Sequence, residues 1–309
     1  MGTFDARWRL LRGGLYPDAK MEFNDLLIKA GIDPKTVIVL RHRPQEKDLR
    51  KVLPWLAAER PDTYNAYQQT QHLNVENAMQ KADYVASFIG HEAGKALFIG
   101  LYRRGKWRPL TWKQYWRAPA NIEMRAFGLR GFVEGDRDTV LWFDLTSMDF
   151  YAGWKGRLVV DWPPPERAWW RWADRNVIPV SSIHPHSVLD AEMPRWDEMC
   201  FTWDELKVLP AKWKAALSQW RGIYFVFDET DGKGYVGAAY GTENILGRWL
   251  SYAPRGHGGN KELRNRDPAR FRFSILQRVS PDMEAAEIIR LESSWKDRLH
   301  TREFGMNEN

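Results

Sequence analysis

Two short runs near the C-terminal end constrain this chain most. Gly222-Ile223-Tyr224-Phe225-Val226-Phe227 and Tyr235-Val236-Gly237-Ala238-Ala239 are rich in β-branched and aromatic residues, and the stretch 228–234 between them is rich in Asp and Gly. Runs of that composition joined by a short turn predict a β-hairpin. The pairing brings Tyr224 and Tyr235 into one neighbourhood. Thr242 stands where a helix needs an N-cap, and the helix that follows, to about Ala253, carries Arg248. Gly256-His257-Gly258-Gly259-Asn260 reads as a loop and Phe271–Val279 as a third strand. Ser280-Pro281 reads as the opening of a last helix, with proline at its first position. On that helix Ala285, Ile288, Ile289, Trp295 and Leu299 form the apolar stripe, and helical spacing puts Glu292 on it as well. An inward carboxylate must be paired or bound to a metal. Spacing alone leaves both open: a metal ligand, or an ion pair with Arg248 or another base.

Taken in order, these elements resemble the GIY-YIG nuclease family. The name-giving motifs stand as Gly222-Ile223-Tyr224 and Tyr235-Val236-Gly237. Arg248, the 256–260 loop, Glu292 and the ending Arg302-Glu303-Phe304-Gly305-Met306-Asn307 follow. A lone G-I-Y carries little, because short motifs recur by chance; the ordered set carries much more. The resemblance implies a small α/β (α+β) domain, a three-stranded sheet flanked by helices. It also implies hydrolysis of phosphodiester bonds with one divalent ion, Mg²⁺ or Mn²⁺. By the same resemblance Glu292 matches the metal ligand and Arg248 the phosphate-binding arginine. Tyr224 matches the tyrosine proposed as general base, and Tyr235 the one that positions water or phosphate. Asn307 matches the asparagine near the metal, and His257 a histidine of variable role. Tyr252, four residues after Arg248, holds the place of a further family His or Tyr. The residue types suit the chemistry: a metal and an arginine stabilise charge that grows on phosphate oxygens. A tyrosine base, with an ordinary pKa of about 10, needs that value lowered, which Arg248 and the metal are expected to do.

Charge is concentrated here. Between 248 and 278 stand Arg248, Arg255, Lys261, Arg264, Arg266, Arg270, Arg272 and Arg278, opposed within the segment only by Glu262 and Asp267. That local excess equals the net charge of the whole chain, +6, and marks Arg255, Lys261, Arg264 and Arg266 as candidate DNA contacts. Among other classes, a disulfide scaffold and a multi-cysteine zinc site are excluded by the single Cys200, read as a buried thiol. No apolar run approaches a membrane span or a signal peptide, so a cytoplasmic, intracellular location is expected.

The N-terminal region is a second domain of different character. Residues 1–20 read as a basic extension, 21–215 as a DNA-recognition domain, and 216–309 as the catalytic domain. Helices are expected over 21–30, 45–59 and within 62–81, and a strand over 36–40 entering the basic turn Arg41-His42-Arg43. Four or five β-rich runs between Tyr84 and Ile183 suggest a barrel-like or curled sheet. Arg167–Trp172 reads as a short helix, 184–202 as a loop, and 203–209 and 211–220 as short helices split by Pro210. His184-Pro185-His186 lacks a third metal ligand nearby. Of 17 tryptophans, 13 lie between residues 81 and 220, so this domain is built from indoles. Trp107, Trp112, Trp154 and Trp170, interleaved with Lys and Arg, are candidates for stacking on unpaired, modified or flipped bases; the plainer reading is that the indoles fill a core. The chain is thus expected to be a DNA endonuclease of restriction or phage-defence type acting on double-stranded DNA, as a homodimer on its site. A structure-selective repair or mobile-element enzyme is the alternative. A DNA-binding protein with an inactive nuclease fold is the alternative of another class.

Overall fold

The computed structural model describes residues 20–190, 192–242, 244–252, 263 and 266–308. The His257 loop, Arg255, Lys261, Arg264 and most of the N-terminal extension lie outside the described residues. The chain divides into two compact units, Met1–Asp190 and Ala191–Asn309. Among the described residues no helix is long and apolar enough to cross a membrane.

The first unit opens with α1 (Phe23–Lys29) and β1 (Val37–His42). A crossover through α2 (Lys47–Glu59), α3 (Pro61–Gln69) and α4 (Leu73–Met79) leads to β2 (Tyr84–Gly90), which pairs with β1 in parallel. A parallel pair needs such a crossover, and a strand covered on both faces reads as a continuous apolar run. Val37 and Val39 belong to one core cluster with Phe23, Phe88 and Phe98, while Ile38 and Leu40 belong to another with Val75, Met79 and Val85. The next strand, β3 (Lys95–Leu110), is long enough to pair β2 along one edge and to divide its other edge. Its start takes β5 (Leu158–Asp161), and its end takes β4 (Val140–Ser147), which follows α5 (Trp112–Tyr115) and α6 (Pro119–Ala126). Register shifts at Ser87/Phe88 and Arg104/Trp107 bend the sheet where β3 changes partner.

The short β6 (Trp170–Trp172) and β7 (Val180–Ile183) are the two ends of the sheet order β6-β1-β2-β3-β5-β7, so it curls without closing. β6 corrects the expected helix at 167–172: its three residues pair antiparallel with Ile38–Leu40 and fill the open edge of β1. A tertiary edge overrides a local helical pattern.

The second unit is a four-stranded sheet in the order β10-β9-β11-β8. Here β8 is Cys200–Thr202, β9 Arg221–Asp228, β10 Gly234–Ala239 and β11 Phe271–Val279. The hairpin and third strand are where the sequence put them. The fourth strand lies inside the segment read as a loop, and it pairs with Arg272–Ser274 of β11. With α7 (Trp203–Lys207) and α8 (Ala211–Gln219) it supplies Phe201, Leu206, Leu209 and Leu217 to the core. Residues 191–215 therefore belong to this unit, which begins earlier than the expected boundary at 216. Cys200 alternates outward from Phe201 and is exposed, not buried. The helices α9 (Asn244–Leu250) and α10 (Ala285–Arg298) complete the unit. The last helix starts four residues after Pro281, with Glu284 at its N-cap. Ile288, Leu291 and Trp295 face the sheet, whereas Ile289 and Leu299 are exposed.

Candidate active site

Strand alternation sorts the hairpin residues onto two faces. Tyr224, Val226, Tyr235 and Ala239 pack with Phe271, Phe273, Trp249 and Tyr252 on one face. Ile223, Val236 and Ala238 pack with Ile288 of α10 on the other. On the first face three tyrosines converge. The Tyr224 and Tyr252 hydroxyls are 2.9 Å apart, and the ring centroids of Tyr224–Tyr235 and Tyr235–Tyr252 are 6.5 and 6.3 Å apart. Arg248, on α9 one turn before Tyr252, brings its positive charge beside the tyrosines, Tyr224 first, while its Nε is buried without a partner.

Both motif glycines are explained by what lies beside them. A Cβ on Gly237 would sit 2.4 Å from the Tyr224 hydroxyl and 2.5 Å from its ring. A Cβ on Gly222 would sit 2.2 Å from the Gln277 carbonyl, at the register shift between Ile275 and Gln277 where β11 bulges against β9. The glycines let one strand carry a tyrosine lying flat over its neighbour and the other pass a bulge.

The electrostatics differ from expectation at Tyr224. Burial pushes its hydroxyl up to about 12, helped by Tyr235, and the opposing pull of Arg248 does not compensate. Tyr224 is therefore neutral at physiological pH. Burial likewise holds Tyr252 well above the ordinary range, while Arg248 is held above its own, first by Tyr224.

Asn307 is committed to structure. Its Oδ1 accepts from the Val236 N–H at 2.9 Å, and its Nδ2 donates to the Val236 carbonyl at 2.8 Å. This two-bond clamp continues the ladder on the outer side of β10, an edge strand of the sheet. The Met306 N–H, donating to the Gly234 carbonyl at 2.9 Å, extends it.

Glu292 sits on α10, the helix that packs on the sheet through Ile288, Leu291 and Trp295; it is 17% exposed, with Oε1 3.0 Å from Lys296 Nζ. The base left open by the sequence is thus its own i+4 neighbour rather than Arg248. Among the described residues no group of three or more His, Cys, Asp and Glu side chains gathers as a metal site. A Mg²⁺-class ion keeps several waters and needs as few as one carboxylate. Glu292 is a donor of the right kind, provided the ion displaces Lys296 from it.

The expected DNA contacts fall into different surroundings. Arg266 is held by Asp231, at 2.9 Å to each carboxylate oxygen, and by Asp228 at 2.6 Å. Arg272 pairs with Glu229 at 2.6 Å. These acidic residues lie outside the 248–278 segment, so the local excess of charge in sequence is partly cancelled in space. Arg278 lies 4.0 Å over the Trp220 ring. In the first unit Trp112 borders a small cluster of Tyr115, Phe132 and Val140, Trp154 stacks on Tyr151, and Trp170 packs against the Ile38–Leu40 cluster. Trp107 alone of the four candidates is exposed, at 41%, with the Arg104 guanidinium 5.0 Å over its ring.

No family model matches the chain, and no curated protein matches it. Among solved structures the chain is similar to a mutant form of the catalytic domain of intron endonuclease I-TevI, at 26% identity and a TM-score of 0.25. The match covers 29% of this chain and 94% of that one.

Proposed function

We propose that this chain is a divalent-metal-dependent DNA endonuclease of the GIY-YIG kind. Its catalytic machinery lies in residues 222–309, and its N-terminal unit supplies specificity for a restriction or phage-defence role on double-stranded DNA. The convergence of Tyr224, Tyr235, Tyr252 and Arg248 on one sheet face carries the reading, since these four are the motif residues that the structure brings together.

Hydrolysis forms a bond from a water oxygen to phosphorus and breaks the bond from phosphorus to the leaving ribose oxygen, which departs with a proton. Arg248 is the cation placed to hold two non-bridging phosphate oxygens, and its guanidinium stays charged throughout. Tyr224, neutral and oriented by Tyr252, holds the attacking water by hydrogen bonding rather than removing its proton outright. Tyr235 packs beside it and fixes its ring. Glu292 would hold Mg²⁺ or Mn²⁺, whose positive charge would stabilise the phosphate oxygens. Asn307 acts at a distance by clamping β10 under the tyrosines.

Plasmid, modified, branched and single-stranded DNA, with RNA as a control, incubated with Mg²⁺ test the proposal. Discrete plasmid fragments are expected, with second-order dependence on protein if two copies cut one site. Arg248→Ala and Glu292→Ala should each abolish cleavage while DNA binding persists. Lys296→Met should leave cleavage intact and tighten Mn²⁺ binding, because it frees the Glu292 carboxylate. Wild-type cutting by either alanine variant overturns the site assignment. DNA binding with no cutting of any substrate favours the inactive-fold reading, which the Glu292–Lys296 pair supports.

A further inference from the structure

A cavity of about 990 Å³ opens in the first unit at the carboxyl end of β1, within the size range of small-molecule sites. Its place follows from topology. β1 has a parallel neighbour on one side and the antiparallel β6 on the other, so the chain leaving β1 and the chain entering β6 meet beyond the same strand end. The chain leaves β1 through Arg43 toward α2 and returns alongside it at 166–169, where the Arg41 N–H donates to the Trp169 carbonyl at 2.7 Å.

Arg41 lines this cavity and is only 2% exposed. Its guanidinium has few hydrogen-bond partners: Nε has none, one NH reaches the Glu166 carbonyl at 3.4 Å, Glu166 Oε2 stands 3.9 Å away on a side chain 49% exposed, and the Trp162 ring lies 5.7 Å off. A buried cation left in that condition is costly. Burial pulls its pKa down; Glu166 opposes that pull in part and Arg43 adds to it. Arg43 and Arg167 also line the cavity, and neither is paired with a carboxylate among the described residues. Arg137, a further lining cation, is committed to Glu76 at 2.8 Å, and Asp136 is the lining acid besides Glu166. The balance left over is a positive floor and rim lacking an anion. The walls add flat π faces, Tyr67 and Trp169, and an amide, Gln71.

The geometry points to a nucleoside phosphate as the occupant, with its phosphate on Arg41, Arg43 and Arg167 and its base between Tyr67 and Trp169. The volume and the aromatic walls exceed what an inorganic anion uses, and the guanidiniums need what an uncharged aromatic lacks. The unit comes from one of two sources: a free nucleotide, or a single nucleotide extruded from a nucleic acid. The inference stands apart from the nuclease reading, since no residue of the tyrosine site lines the cavity.

The test is calorimetric titration of the full chain, without divalent metal, with deoxynucleoside 5′-monophosphates, inorganic phosphate, and a duplex carrying one extrahelical nucleotide beside its fully paired parent. Saturable binding of a monophosphate, or preference for the extrahelical duplex over its parent, is expected. The first marks a diffusible ligand and the second a nucleic-acid source. Arg167→Ala and Trp169→Leu, two lining residues that are not buried, should weaken that binding about tenfold or more with circular dichroism unchanged, whereas Arg248→Ala should not. Three outcomes overturn the proposal. One is no binding of either nucleotide probe at millimolar concentration. Another is inorganic phosphate binding as tightly as nucleotide. The third is binding that Arg248→Ala abolishes and the cavity variants spare, which would place the ligand at the tyrosine site.

Discussion

Gly237 shows how a single absent carbon fixes a site. Its position is defined less by backbone conformation than by the Tyr224 ring lying across it, pinned in turn by Tyr252 and Arg248. Gly237→Ala should cost about 1–3 kcal/mol in urea unfolding and reduce cleavage, because the ring must leave the Arg248 side to make room. An unchanged denaturation midpoint would show that the ring is not pinned. His42 is the corresponding residue of the first unit. It is 2% exposed, edge-on to Tyr64 and Tyr67, and burial lowers it from 6.5 to about 4. The folded chain therefore keeps His42 neutral where the unfolded chain protonates it. Stability from this residue is complete above 6.5 and declines as pH falls from 6.5 toward 4. The acid limb of a stability–pH curve should flatten in His42→Gln; an identical slope would remove His42 from the account. In sequence Arg41 and His42 looked like the start of a basic turn. Only the pairing of β1 on both edges makes them core residues.

At the scale of elements, β8 decides what the second unit is. Three residues, Cys200–Thr202, add a fourth strand to the expected three, and Phe201, 7% exposed, enters the core beside Trp249. Phe201→Ala in the full chain should cost about 3–5 kcal/mol and lower the melting temperature of the second unit, read by differential scanning calorimetry. A melting temperature equal to wild type would mean that β8 is an appendage. The hairpin β9–β10 and strand β11 were legible because their alternation and turn chemistry are local. A three-residue edge strand carries no such signature, and the helical reading of 167–172 failed at β6 for the same reason. On α10 the helical period was read correctly but its phase was broadened, since Ile289 and Leu299 face outward. Glu292 does lie beside the inward stripe, and its partner Lys296 sits four residues on, within the same helix.

Across the whole molecule two compositional features separate into different physical roles. Of the 17 tryptophans, most of those among the described residues border cores without being engulfed, and among the described residues only Trp162 and Trp249 are buried. An indole's N–H explains that preference for the edge: Trp116 donates to the Phe132 carbonyl and Trp295 to Gln277 Oε1. The basic segment 248–278 is a feature of sequence distance, and Asp228, Glu229 and Asp231 reach part of it through the β9–β10 turn. By itself the sequence determined the hairpin, the third strand and the order of the motif residues, because periodicity, turn chemistry and residue order are properties of neighbours along the chain. The tertiary structure alone decided which tyrosines meet, which charges are cancelled, that α10 packs on the sheet through Ile288, and that Arg41 is buried with few hydrogen-bond partners. Each of these depends on which strand lies beside which, and that is set by burial across long sequence separations rather than by any local pattern.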